Sequence, residues 1–298
     1  MLKSPQRIDV DHSLIRSKRP CNDGYRWFLR RNLPVSDYQT LLNELVGAGR
    51  VGDACWLLDH LGPTDEVMHV DSLVAADIVF AGSIHCRGHL EISGLLRTGG
   101  DLEVGGTVLA GTTLQVGREL KVGGGLRCEG LLRADLGARI ACGLEVKQLL
   151  SCDGELRIGT FLRASDAVQV AGQITIGGEA LVTGQLRCNA GLKLKGDLQV
   201  DDDTFIARGL YAESDVRCAG HLRAGWGVHA WGDIRAARSI RVGESLCARG
   251  VIESGADYGI FAGLDVPLDS WSSCGFVRAA QRPQRLMSGA WTDADSGL

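Results

Sequence analysis

The residues best suited to chemistry in this sequence are a His-Cys-x-x-His segment and a run of three aspartates. His85, Cys86 and His89 are zinc-ligand types, and Asp201–Asp203 offer oxygen ligands to a cation such as Ca²⁺. Alternation along a strand points His85 outward and Cys86 inward, so the two cannot share one ion. Consecutive loop carboxylates are more often solvated. With no Ser-His-Asp or Cys-His pairing standing out, we predict no metal, no cofactor and no enzymatic activity.

A second candidate site is aromatic and basic. Its members are close in sequence: His221, Arg223, Trp226, His229 and Trp231. Both tryptophans fall outside the positions expected to form the core, and exposed tryptophan beside arginine is the composition of a protein-binding hot spot. Packing of the tryptophans beneath the C-terminal segment is the open alternative. Either interpretation predicts a docking surface here.

Basic side chains recur at outward positions of the chain. The row consists of Arg127, Arg133, Arg157, Arg163, Arg187, Lys193 and Arg217. It predicts a basic wall on a protein whose net charge is −4 and whose pI is about 6.0. We expect these side chains to cover strand backbone and to pair with acids such as Asp215, Asp233 and Glu244. Binding of an acidic protein, an anionic lipid surface or nucleic acid is the alternative.

A six-residue repeat from about Ile78 to Leu264 must position all of these residues. It alternates apolar and variable positions before a glycine corner, as in Leu90-Glu-Ile92-Ser-Gly94. Such a strand buries its apolar face only by stacking, which is the logic of a solenoid. Coils of 30 residues would stack the arginines about 4.8 Å apart, where they repel. We therefore predict a mainly β, three-sided solenoid of roughly ten coils, each three phrases or 18 residues long.

The flanking segments differ from the repeat. We predict a flexible basic arm over residues 1–20, a small three-helix unit that caps the solenoid over 21–63, the solenoid over 64–264, and a C-terminal capping segment over 265–298 with Trp271, Phe276 and Trp291. Short interruptions of the repeat are expected near 135–138, 201–203 and 208–209. Terminal coils need covers, because they otherwise expose apolar side chains and unpaired strand edges.

Composition supports a globular repeat protein: 41 of 298 residues are glycine and 45% are hydrophobic. Ten cysteines form no Cys-x-x-Cys pattern. Six of them are expected in inward positions as reduced core thiols: Cys86, Cys128, Cys142, Cys152, Cys188 and Cys218. This indicates a reducing compartment, and we predict a cytoplasmic protein of bacterial type. No apolar run approaches a membrane span, although peripheral membrane contact stays open.

The phrases of the type Leu-x-Val-x-Gly-x resemble those of bactofilins, the polymer-forming bacterial cytoskeletal proteins. The resemblance covers about residues 78–264 and implies a right-handed, three-sided β-helix that is nucleotide-free, not catalytic, and joined end to end. The helical unit and the aromatic C-terminal segment depart from that family. If both cover the ends, end-on polymerisation is blocked. The partner is then either another copy or a different protein, with no specific nucleic acid expected.

Two alternative functions remain open. A helical lead followed by repeats also resembles bacterial proteins associated with toxin–immunity loci, which implies an immunity protein that occludes a toxin. In a shifted frame, pairs such as Val116-Gly and Val122-Gly resemble the left-handed hexapeptide acyltransferases. The residue four positions further on is usually small in that family but is Leu120 and Leu126 here. That mismatch makes the acyltransferase the weaker hypothesis.

Overall fold

The computed structural model describes residues 9–30 and 35–293 and shows a mainly β protein, a parallel solenoid of stacked coils. The N-terminal region contains β1 (Asp9–Asp11), α1 (His12–Ser17), α2 (Asn22–Arg30), β2 (Val35–Asp37), α3 (Tyr38–Gly47) and α4 (Val51–Leu61). A short 3-10 turn, Leu268–Ser270, and α5 (Trp271–Cys274) lie near the C-terminus.

All other elements are short strands that belong to the solenoid. The first twelve are β3 (Val67–Val70), β4 (Leu73–Ala75), β5 (Ile78–Phe80), β6 (Ser83–Cys86), β7 (Leu90–Ile92), β8 (Leu95–Thr98), β9 (Leu102–Val104), β10 (Val108–Ala110), β11 (Thr113–Val116), β12 (Glu119–Val122), β13 (Leu126–Cys128) and β14 (Leu131–Ala134). The next twelve are β15 (Gly137–Ile140), β16 (Leu144–Val146), β17 (Leu150–Cys152), β18 (Glu155–Ile158), β19 (Leu162–Ala164), β20 (Val168–Val170), β21 (Ile174–Ile176), β22 (Ala180–Val182), β23 (Leu186–Cys188), β24 (Leu192–Leu194), β25 (Leu198–Val200) and β26 (Thr204–Ile206). The last twelve are β27 (Leu210–Ala212), β28 (Val216–Cys218), β29 (Leu222–Ala224), β30 (Val228–Ala230), β31 (Ile234–Ala236), β32 (Ile240–Val242), β33 (Leu246–Ala248), β34 (Ile252–Glu253), β35 (Ile260–Phe261), β36 (Phe276–Ala279), β37 (Leu286–Ser288) and β38 (Ala290–Asp293).

The strands form three parallel sheets, one on each side of the solenoid. Sheet I has 13 strands, running in steps of three from β3 to β36 and ending with β38. Sheet II has 11 strands from β4 to β34, and sheet III has 12 strands from β5 to β35 followed by β37. These numbers exceed the predicted ten coils, because segments on both sides of the repeat also contribute strands.

The 18-residue coil is confirmed by the strand register. Leu102 pairs with Leu120, and the same spacing holds as far as Ile234 and Ile252. The predicted interruptions are therefore wrong: strands on either side of residues 135–138, 201–203 and 208–209 keep the spacing. Arg127 lies beside Glu145 in the ladder and not beside Arg157, so the recurring arginines do not stack on one another.

Alternation produces the core. The first and third residues of each strand point inward and are buried, while the second points outward, as Leu162, Arg163 and Ala164 illustrate. Leucine in one slot faces a smaller residue in the other, which fills the narrow interior. A single hydrophobic cluster runs the length of the solenoid.

Side chains at the corners add a second set of hydrogen bonds between coils. The carboxylate Oδ1 of Asp197 accepts the backbone N–H of Asp215 at 3.1 Å. Asp215 accepts that of Asp233, and Asp233 that of Val251, both at 2.8 Å. Each acceptor satisfies a corner N–H that the strand ladders do not reach. These three aspartates occupy the same position in successive coils and form a ladder at the corner between sheets I and II.

The helical unit packs on the outside of sheet III. Its buried core, which includes Tyr38, Leu41 and Leu42, is shared with Val79 and Ala81 of the first coil. Asp59 of α4 forms an ion pair with Arg97, an outward residue of β8. The predicted cap is therefore a lateral cover that reaches only one strand edge. At that edge the Gln39 amide donates to the Val79 carbonyl at 3.0 Å and accepts the Ala81 N–H at 2.9 Å.

Two terminal segments differ from the sequence expectation. Residues 9–17, predicted as part of a flexible arm, form β1 and α1, because Val10 and Ile15 are buried in the helical unit. The rest of the predicted arm before residue 9 lies outside the described residues. The C-terminal segment continues the solenoid in wider coils instead of closing it with a separate unit. Gly263, with a left-handed φ of 72°, begins this segment beside Trp271.

One predicted core thiol is misplaced. Cys142 is exposed, because Ile140 fills the inward position at the end of β15 and Cys142 falls in the following corner. The other five predicted core thiols are buried: Cys86, Cys128, Cys152, Cys188 and Cys218.

Candidate protein-binding surfaces

The predicted basic row is divided among the three sheets. Arg127, Arg163 and Arg217 project from sheet II, Arg133 and Arg187 from sheet III, and Arg157 and Lys193 from sheet I. The coil is shorter than the period at which these side chains recur, so successive members fall on different sides. The row is therefore three sets of rungs, each with its own neighbours.

On sheet II the basic residues are paired with acids. Arg127 and Arg163 both approach Glu145, at 3.8 and 3.9 Å. Arg217 pairs with Asp215 at 2.6 Å, and Arg235, the next rung, pairs with Asp233 at 2.7 Å. Because each arginine of this set lies beside a carboxylate, sheet II leaves little unbalanced positive charge. The expected pairing with corner acids is present for Asp215 and Asp233.

The predicted aromatic and basic patch is spread around three sides of the coil. Trp226 lies at the corner between sheets III and I, His229 projects from sheet I, and Trp231 lies at the corner between sheets I and II. His221 occupies the corner between sheets II and III, and Arg223 projects from sheet III. The structure therefore brings Trp226, His229 and Trp231 around sheet I and separates the other two.

Both tryptophans are open to solvent. Trp226 is 51% exposed and Trp231 is 44% exposed, so the C-terminal segment does not bury them. The Arg249 guanidinium lies 4.1 Å from the Trp231 ring centre, and the Arg208 guanidinium lies 5.3 Å from that of Trp226. Cation–π contact orients these rings without hiding them.

His229 connects the two tryptophans across sheet I. Its ring makes an edge contact with Tyr211, with centres 5.4 Å apart. Partial burial and the positive charge of Arg249 lower the pKa of His229. The imidazole is therefore neutral at neutral pH, and this surface is aromatic in character.

The segments considered as metal sites do other work. His85 projects outward and lies 3.9 Å from Glu103, while Cys86 is buried, as alternation predicts. Asp203 accepts the His221 N–H at 2.7 Å and so belongs to the corner hydrogen bonds. Among residues 9–30 and 35–293 no group of three or more His, Cys, Asp or Glu side chains is arranged to hold a metal ion.

The first coil has a feature that the repeat pattern did not reveal. Inward residues of β3 and β4, among them Met68, Val70 and Leu73, are only half-buried. Their partners one coil later, Ile84 and Leu90, are at most 1% exposed. The N-terminal end of the solenoid is thus apolar and partly open. A sequence can identify these positions as inward, but only the lateral placement of the helical unit shows them uncovered.

The helical unit contains an apolar cavity of about 300 Å³. Its lining includes Trp27, Phe28, Leu45 and Trp56, with Cys21 and Asp53 as polar members. In the part of the chain that the structure describes, no helix has the length and apolarity needed to cross a membrane.

Comparison with known proteins provides no relative to which these surfaces can be matched. No protein-family model, no curated protein and no solved structure matches the chain.

Proposed function

We propose that this protein is a non-enzymatic scaffold that self-associates end-on through the N-terminal end of its solenoid. The observation that carries the proposal is the half-buried apolar lining of β3 and β4. Covering apolar surface contributes about 25 cal/mol per Å². The same residue positions are fully buried one coil later, so a second rod placed on this end restores an environment that the chain already provides internally.

Strand edges give the contact direction. Both β3 and β4 are terminal strands of their sheets and carry a neighbour on one side only. Unpaired parallel edges are templates for further strands. The corresponding edge of β5 is occupied by Gln39, so two of the three sheets are able to accept a partner.

The opposite end offers a counterpart. Leu286 and Trp291 are partly buried against the core at the C-terminal end. An N-to-C contact repeats and yields a filament, whereas an N-to-N contact closes into a dimer. The bactofilin-like repeat favours the filament, because those proteins join rod to rod.

A matched pair of lysine substitutions tests the proposal. Val74 and Leu109 are outward residues of sheet II, 76% and 46% exposed, but Val74 lies on the terminal strand and Leu109 on an interior one. We expect Val74→Lys to abolish association measured by sedimentation velocity, because an edge lysine opposes strand addition. Leu109→Lys should associate like the wild type. Equal behaviour of the two variants would refute end-on assembly.

The non-enzymatic role is supported by the scattering of reactive side chains. Outward His85 and inward Cys86 face opposite ways, and His221 and His229 lie on different sides of the coil. Acyl transfer from a thioester donor, measured with purified protein, would contradict this part of the proposal.

A second candidate is a binding protein of the immunity type, which acts as a single particle. The exposure of Trp226 and Trp231 favours it, because exposed tryptophans are costly unless a partner covers them. This candidate predicts a monodisperse monomer at all concentrations. It also predicts that Trp226→Ala with Trp231→Ala preserves the melting temperature and removes capture of the partner.

A further inference from the structure

Sheet III carries four arginines in its C-terminal half that lack acidic partners. Arg187, Arg223 and Arg241 project outward from this sheet, and Arg208 lies at its corner with sheet I. All four are exposed. Among the described residues none of them forms an ion pair, in contrast to Arg217 and Arg235 on sheet II. We call these four residues the arginine wall.

The closest pair within the wall is electrostatically unfavourable. Arg223 and Arg241 are directly paired in the parallel ladder, one strand spacing of about 4.8 Å apart. Like charges in that position destabilise a sheet. The pair Arg217 and Arg235 has the same arrangement, but Asp215 and Asp233 neutralise it. The arginine wall therefore has positive charge that the fold itself leaves unbalanced.

Aromatic rings hold these arginines in place. The guanidinium of Arg187 lies 5.0 Å from the Phe205 ring centre, that of Arg208 lies 5.3 Å from Trp226, and that of Arg241 lies 5.2 Å from Phe261. A guanidinium fixed over a ring loses less conformational entropy when it binds an anion. The rings thus preorganise three of the four charges.

The geometry points to an acidic, extended segment of a partner protein as the ligand, and we propose that the arginine wall binds one. Guanidinium groups match carboxylates in bidentate geometry. Single-stranded nucleic acid needs free aromatic faces on which bases stack. Phe205, Trp226 and Phe261 each already carry a guanidinium on one face, which favours carboxylates over bases. The wall is open and follows the coil axis, as an extended chain requires.

This proposal goes beyond end-on association and uses a different surface. Val74, the edge residue of the assembly test, lies on sheet II in the first coil, whereas the wall begins at β23 of sheet III. Loss of the wall should leave the sedimentation of the protein unchanged. Failure of one proposal therefore does not imply failure of the other.

The test measures fluorescence anisotropy of a labelled oligoglutamate peptide with the full-length protein at low and physiological salt. We expect binding that Arg223→Gln with Arg241→Gln weakens about tenfold. The matched double variant, Arg217→Gln with Arg235→Gln, should change affinity by less than about twofold, because its native arginines are already paired. Thermal melting confirms that both variants are folded.

Three results would overturn the proposal. The first is no peptide binding by the wild type at low salt, and the second is an equal loss in both double variants. The third is tighter binding of single-stranded oligothymidylate than of oligoglutamate, which would assign the wall to nucleic acid. A folded Phe205→Leu variant gives an independent check, since it removes the ring under Arg187 without removing charge and should weaken peptide binding severalfold.

Discussion

Replacing Asp215 tests how the corners hold the coils together. Its Oδ1 accepts the backbone N–H of Asp233 at 2.8 Å, and its Oδ2 pairs with Arg217 at 2.6 Å. Asp215→Ala removes both contacts and leaves the Asp233 N–H without its acceptor. An unsatisfied, partly buried backbone donor costs about 1–3 kcal/mol, and an exposed ion pair contributes at most about 1 kcal/mol.

Asp215→Asn separates these two contributions. The amide oxygen of asparagine is still able to accept the Asp233 N–H, whereas the ion pair with Arg217 is lost. We therefore expect Asp215→Asn to lower the free energy of unfolding by less than about 1 kcal/mol. Asp215→Ala should lower it by about 1–2 kcal/mol more than that. Arg217→Gln, which removes only the ion pair, should resemble Asp215→Asn.

Two assays are needed because solenoids unfold in parts. Urea denaturation followed by circular dichroism gives the overall free energy of unfolding. Hydrogen exchange at the Asp233 amide reports the single bond, and it should be faster in Asp215→Ala than in Asp215→Asn. Equal stability of the two variants, together with unchanged exchange at this amide, would refute the role of the corner ladder.

Further predictions concern the core, the N-terminal end and the buried thiols. Leu156→Ala, at a fully buried slot, should cost about 2–5 kcal/mol in urea denaturation. Leu73→Ala, at the half-buried end, should cost clearly less in dilute protein, and an equal loss would contradict an open end. Burial raises the pKa of four core thiols, so the folded state favours the neutral form, and stability should fall as pH rises above the ordinary thiol pKa of about 8.5. Urea midpoints at neutral and alkaline pH check this for Cys128, Cys152, Cys188 and Cys218. An unchanged midpoint in alkali would be the contrary result.

The sequence was sufficient to predict the solenoid, because the repeat acts at the level of single residues. Alternation determines which side chain is buried, and repulsion among arginines distinguishes 18-residue coils from 30-residue ones. Cys142 shows the limit of this reasoning. A small apolar residue near the expected slot is indistinguishable in the sequence from one in the next corner, and only the strand register separates Ile140 from Cys142.

The surfaces were harder to predict, because they depend on which residues are neighbours between coils. His221 and Arg223 are close to Trp226 in sequence but point to other sides of the solenoid. Conversely, Arg223 and Arg241 are separated by a full coil of sequence and are direct neighbours in space. With the 18-residue period, the aspartate ladder that includes Asp215 could have been recognised in the sequence. The lateral position of the helical unit could not, since amphipathic helices do not specify which face of a solenoid they cover.

Solution scattering over a series of protein concentrations tests end-on association most directly. Thirteen strands spaced about 4.8 Å apart give a single solenoid roughly 60 Å long. With increasing concentration, the overall radius of gyration should grow while the cross-sectional radius stays constant. A particle of one solenoid's length at every concentration, or a cross-section that widens as the particles grow, would contradict the scaffold proposed here.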